Sequence, residues 1–165
     1  MGYKIQEKLC FEQKEEVTVL LGGCDHSETV KDVDVYAPSG ATINIPESPL
    51  DTCTKPSSVY FNGSIVLCGG EDKNKSTACY SHELGTTEWS VMPSLNEHRE
   101  RFTMNAVGDL IAVVGGFKSG TDIEVFKEGK WMRGPYLKAS HGVVHHCAVR
   151  YEKKINLQNI KSIFS

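Results

Sequence analysis

The chain has 165 residues, 39% of them hydrophobic and 24% charged, and its 18 Lys and Arg against 21 Asp and Glu give a formal net charge of −3. This is the composition of a globular protein long enough for a real core, and it leaves no basic footprint for nucleic acid. Its longest purely apolar run, Leu110–Val114, is far short of the roughly 20 residues a membrane-spanning helix needs, and residues 1–6 match neither a signal peptide nor a myristoylation site.

Residues 4–13 can serve as a first strand. The run Val17-Thr18-Val19-Leu20-Leu21 then closes on Gly22-Gly23, and the aromatic Tyr36 follows. After the turn Ala37-Pro38-Ser39-Gly40 a last strand is expected around Ile43, which completes a unit at about 4–46. The second unit, about 56–93, repeats this order. Strand a is Ser57–Phe61 and strand b is Ser64–Cys68, with the hairpin dipeptide Asn62-Gly63 between them. Gly69-Gly70 follows, then strand c at 77–83 with Tyr80, the turn 84–87, and strand d at 88–92 with Trp89.

The third unit, about 101–134, places a at 102–107, b at Leu110–Val114 before Gly115-Gly116, c at 122–126 with Phe126, and d at 130–133 with Trp131. A lone fourth strand a is expected at about 141–150. No glycine doublet follows it, and residues 151–165 form a divergent tail. The doublets at Gly22, Gly69 and Gly115 are spaced by 47 and 46 residues. A period this regular marks a repeat architecture, in which each unit cannot bury its faces alone and stacks on its neighbours.

A hydrophobic strand ending in two glycines, followed by an aromatic and then a tryptophan at this period, resembles the kelch repeat, one four-stranded blade of a β-propeller. The resemblance covers residues 4–150. It implies an all-β, partial kelch-type propeller of about three four-stranded antiparallel blades plus one extra strand, with Gly22, Gly23, Tyr36, Gly69, Gly70, Tyr80, Trp89, Gly115, Gly116, Phe126 and Trp131 as the repeat motif. Strand b is expected near the propeller axis, where a residue without a Cβ lets chains crowd together. Propellers close with roughly four to eight blades, so the chain reads as a fragment of a longer array with open blade edges that invite self-association.

Of the six cysteines, Cys68 ends strand b and Cys79 lies on strand c of the same blade, so antiparallel pairing brings them within disulfide reach. The order Cys53, Cys68, Cys79 resembles kelch-like domains of secreted invertebrate proteins. Asn62 and Asn74 begin glycosylation sequons at turns. Buried free cysteines and chance sequons fit the same residues, so extracellular and cytoplasmic locations both stay open.

Signals for catalysis are poor. His141 and His145 would lie about 13 Å apart on one strand, and Asp32, Asp34 and Asp51 lack the spacing of a calcium loop. Galactose oxidase, a copper enzyme, uses blades of this type, which keeps a copper-radical oxidase fragment as a remote alternative. That site needs tyrosines, histidines and a cysteine–tyrosine crosslink, and no matching constellation occurs. No catalytic residue, metal ligand or cofactor is therefore expected, nor a membrane or nucleic-acid partner. The resemblance implies instead a non-catalytic protein-interaction module that recognises a protein through loops after strand b and between d and the next a. His98, Arg99 and Arg101 form the compact basic group on that end and are the partner-binding candidates, although an Arg there could equally pair with an acid of a neighbouring blade. A disulfide-stapled extracellular domain that recognises protein or carbohydrate is the second reading.

Overall fold

The computed structural model describes residues 15–25, 28–50, 55–71, 76–116 and 122–136. The expected strands at 4–13 and 141–150, the tail 151–165, Asn74 and Cys53 lie outside them. Ten strands form three antiparallel sheets, and there is no helix among the described residues. The first sheet pairs β1 (Thr18–Asp25) with β2 (Glu28–Tyr36). The second runs in chain order through β3 (Ser57–Phe61), β4 (Ser64–Cys68), β5 (Cys79–Glu83) and β6 (Ser90–Met92). The third does the same through β7 (Thr103–Val107), β8 (Leu110–Val114), β9 (Asp122–Lys127) and β10 (Lys130–Tyr136).

Turn chemistry explains the meander. Asn62 and Gly63 both have positive φ, at 48° and 85°, as do Glu128 and Gly129 at 51° and 79°. Two consecutive left-handed residues make the hairpin turn whose twist matches the flanking strands. Between hairpins, alternation assigns the faces. Along β8, Ile111 and Val113 are buried while Leu110, Ala112 and Val114 are half-buried.

The glycine doublets differ in a way the spacing conceals. Gly69 and Gly70 have φ of 73° and 121°, and Gly115 and Gly116 repeat this at 67° and 116° just beyond β8. Gly22 and Gly23 instead lie inside β1, where the register to β2 shifts between Leu21 and Gly23. Across that shift β2 has two residues, Lys31 and Asp32, against the single Gly22 of β1, so the extra residue of the bulge lies on β2 and Gly22, at φ 56°, stands opposite it. The first unit also lacks the strand expected around Ile43. Pro46 cannot donate to a ladder, and the segment instead tucks Ile45 and Leu50 into the interior.

The sheets meet through side chains at matched positions. Val66, Cys68 and Cys79 of the second sheet form one core cluster with Leu95 and with Phe102, Met104, Ile111, Val113 and Trp131 of the third unit. Each large aliphatic side chain buried there contributes about 1.5–3 kcal/mol. Trp131 Nε1 donates to the carbonyl of Pro93 at 2.9 Å, and Trp89 Nε1 donates to that of Pro46 at 3.1 Å, so both tryptophans strap their sheet to the end of the preceding unit. The strands that approach across the seam are β3 and β7, with the Met104 amide donating to Ser57 Oγ at 3.2 Å. Strand a, rather than the expected strand b, is therefore the edge at which these sheets come together.

Gly69 sits at this seam. A Cβ there would lie 2.5 Å from the Phe102 ring and 2.7 Å from the Arg99 carbonyl oxygen, whereas one at Gly63 would meet nothing within 4 Å. Gly69→Ala is expected to lose about 2 kcal/mol from left-handed strain plus overpacking, and Gly63→Ala only the strain, about 1 kcal/mol. Urea denaturation of the two variants measures the difference. Equal losses would mean that close approach of backbones does not require the glycine.

Candidate functional site

Three chain segments converge at the end of the sheets that holds the loops after strand b and before strand a. The Gly70 amide donates to the Arg99 carbonyl at 2.9 Å, the Arg99 amide to the Ser76 carbonyl at 3.2 Å, and the Arg101 amide to the Lys55 carbonyl at 3.2 Å. Ser76 Oγ and His98 Nδ1 are hydrogen-bonded to each other. Lys55 Nζ lies 3.4 Å from Glu71 Oε2 in an exposed ion pair. Backbone hydrogen bonds thus hold residues 55, 69–71, 76–77 and 95–101 in one surface, which gives flexible polar side chains a fixed frame.

The basic group expected here is divided by the fold. Arg99 is fully buried: its Nε donates to Glu124 Oε1 at 2.8 Å, and its Nη1 donates to the carbonyls of Gly115 and Asp122 at 2.7 and 3.1 Å. The other Glu124 oxygen accepts from the amide and the side-chain nitrogen of Asn96, at 2.7 and 2.8 Å. A desolvated guanidinium needs such a paired, hydrogen-bonded carboxylate. Arg99 is thereby withdrawn from any partner, and its role is to tie the connection before β7 to β9.

His98 is exposed, and Arg101 is half-buried at a left-handed φ of 56°. Arg101 Nε is buried without a hydrogen-bond partner, and the same holds for Oε2 of neighbouring Glu100. A cavity of about 290 Å³ opens between Glu97, Arg99, Trp131 and Arg133, and neither His98 nor Arg101 lines it. Arg133 reaches both Asp122, at 3.2 Å, and Glu97, at 3.4 Å, across its rim.

Of the motif aromatics, Trp131 and Phe126 pack with ring centroids 5.1 Å apart, and Trp89 does the same with His82 at 5.3 Å. Strand pairing shows why a histidine takes this place. Phe126 faces Ile111 on β8, and the matching β4 residue, Ile65, faces His82 rather than Tyr80. The connection from doublet to first paired residue is two residues longer in the second unit, from Gly70 to Cys79 against Gly116 to Ile123. Tyr80, aligned with Phe126 by counting from the glycines, corresponds instead to Glu124. In the first sheet Tyr36 faces Thr18, the position that matches Ile65 and Ile111, so Tyr36 holds the equivalent place. His82 was legible only as an apolar-face residue two places after Tyr80.

Cys68 and Cys79 are directly opposed in β4 and β5 and joined by a disulfide, with Cα atoms 4.2 Å apart. Both are buried. Asn62 is exposed at its turn. Glu15, also exposed, accepts hydrogen bonds from Ser39 Oγ and the Ser39 amide, each at 2.6 Å, and these hold its carboxyl below the usual carboxylate range. Among the described residues, no group of three or more His, Cys, Asp or Glu is arranged to hold a metal ion, and no helix is long and apolar enough to cross a membrane.

No protein-family model matches the chain. Among curated proteins it is similar to Kelch-like protein 40b of Danio rerio, at 29% identity over 133 residues that cover 72% of this chain and 21% of that protein. It is similar also to Kelch-like protein 35 of Mus musculus, at 30% identity over 105 residues that cover 62% and 18% respectively. The chain spans about a fifth of the length of the curated relatives it matches.

Proposed function

Taking as premise that this chain is a kelch-repeat protein, we propose that it is a protein-interaction scaffold whose recognition surface is the loop end of the second and third sheets, with Arg101 and His98 as its contact residues. The observation that carries the reading is Arg101. Its side chain is held half-buried on a backbone fixed by the hydrogen bond of its amide to the Lys55 carbonyl, so an acceptor that meets its exposed part costs little ordering. A guanidinium in such a frame suits a carboxylate, which would compete with Glu71 for the exposed Lys55 nearby. Partner-binding by the whole basic group reduces to these residues, because Arg99 is occupied by Glu124. The chain's place as about three blades of a longer array, with boundaries near 4–46, 56–93 and 101–134, belongs to the same proposal.

A displayed library of random peptides selected on the immobilised chain tests it. Selected peptides are expected to carry carboxylates and to weaken at least tenfold on Arg101→Glu, with the melting temperature held. Peptides indifferent to Arg101→Glu and to His98→Ala would overturn the assignment. A second reading, an extracellular recognition domain for protein or carbohydrate, is favoured by the Cys68–Cys79 bridge and by the exposed sequon at Asn62.

A further inference from the structure

Four non-glycine residues of the described chain have positive φ, and two of them, Asn62 and Glu128, are accounted for by their hairpin turns. The other two are Lys55, at 61°, and Arg101, at 56°. They hold the same place in consecutive units. Ser57 of β3 faces Cys68, the last residue before Gly69, and Thr103 of β7 faces Val114, the last before Gly115. Lys55 and Arg101 therefore each stand two residues ahead of equivalent strand starts. Glycine is the residue this conformation favours, yet both positions carry a long cation. Backbone strain kept at a repeated position on a loop surface points to a use in recognition.

The fold also joins the two residues. The Arg101 amide donates to the Lys55 carbonyl at 3.2 Å, so their backbones lie side by side across the boundary between the second and third units. The Lys55 side chain is 47% exposed, and its Nζ lies 3.4 Å from Oε2 of Glu71, which is 53% exposed. Glu71 follows directly on Gly70, whose amide is tied to the Arg99 carbonyl. The other acids of this surface are committed elsewhere, Glu97 to Arg133 and Glu100 to the interior. A carboxylate thus already sits on one of the two cations, in an exposed ion pair that a second carboxylate displaces at little cost.

We infer, on the basis of Arg101 as the contact residue proposed above, that Lys55 is its counterpart from the neighbouring unit and that the partner is a segment with two carboxylates close together in sequence. Glu71 stands in for one of these carboxylates until the partner displaces it. A partner with a single carboxylate meets Arg101 and leaves Lys55 with Glu71. One with two engages both cations, and gains the second contact cheaply because the backbone beneath it is already fixed.

Fluorescence anisotropy tests the inference, with the tightest acidic peptide from the selection above and with the same peptide after each carboxylate in turn is replaced by its amide. Lys55→Gly leaves a residue suited to the left-handed backbone, so the melting temperature should hold or rise while binding weakens about fivefold. Glu71→Gln should instead tighten binding about threefold, and should have no effect in the Lys55→Gly background. One amide-substituted peptide should lose its dependence on Lys55, and another its dependence on Arg101. The inference is overturned if a peptide that needs Arg101 binds Lys55→Gly as it binds the wild type, or if Glu71→Gln weakens binding. Peptides indifferent to Arg101→Glu overturn the reading of Arg101 on which it rests, and this inference with it.

Discussion

Glu124→Ala will cost the protein about 3–5 kcal/mol of stability, a large part of the roughly 5–15 kcal/mol that holds a domain of this size together. The variant strands Arg99, a fully buried cation whose Nε then has no acceptor and whose Asn96 neighbours lose theirs. Removing only the charge partner is what makes the loss large. The double variant Arg99→Met with Glu124→Leu is expected to recover most of it, because no uncompensated charge then remains in the interior. Guanidinium denaturation of the two singles and the double closes the cycle. The exposed pairs Lys55–Glu71 and Arg133–Glu97, both at 3.4 Å, provide the contrast, and their disruption should change stability by less than about 1 kcal/mol. Additive single-variant losses in the double would show that the buried ion pair is not the origin of the effect.

The second large effect is expected at Cys68 and Cys79. Reduction, or replacement of both by Ala, removes a crosslink across 11 residues of chain and should lower stability by about 2–4 kcal/mol, chiefly because the unfolded ensemble regains freedom. The closed loop includes Gly70 and Ser76, whose backbones grip Arg99. The loss should therefore extend to the surface formed by residues 95–101, visible as a changed chemical shift of His98. Alkylation and mass spectrometry of the unfolded chain, with and without reductant, counts the thiols directly. If both cysteines react with no reductant present, the bridge is absent and the extracellular reading loses its main support.

How much of this was legible in the sequence depends on what set each feature. Strands β3, β4 and β8 fell at their expected residues, because a short apolar run between a hairpin dipeptide and a glycine doublet fixes both ends locally. The cysteine opposition followed from the same local order. The correspondence of Tyr80 with Phe126 failed because strand pairing, rather than distance from the glycines, decides register, and a connection two residues longer moves the face unnoticed. The missing strand near Ile43 and the bulge opposite Gly22 both lie in the first unit, where no tryptophan occurs. Arg99 stood with His98 and Arg101 in sequence, but its acid is 25 residues away on β9, and only the tertiary pairing shows that it is buried. The loop surface was expected from the resemblance, and its orphaned Arg101 Nε was not.

The two tryptophan straps have a consequence for how the array comes apart. Each indole anchors its sheet backward, to Pro46 or Pro93, and proline carbonyls at these places belong to the connection leaving the preceding unit. Stability is then shared between neighbours and carries a direction. Loss of the first unit removes one acceptor and leaves the Trp131 strap intact, whereas loss of the second removes the Trp89 donor and, with Pro93, the Trp131 acceptor together. The middle sheet is the keystone of the arc, and fraying that begins at the first unit can halt there, with the last two sheets still locked as a pair.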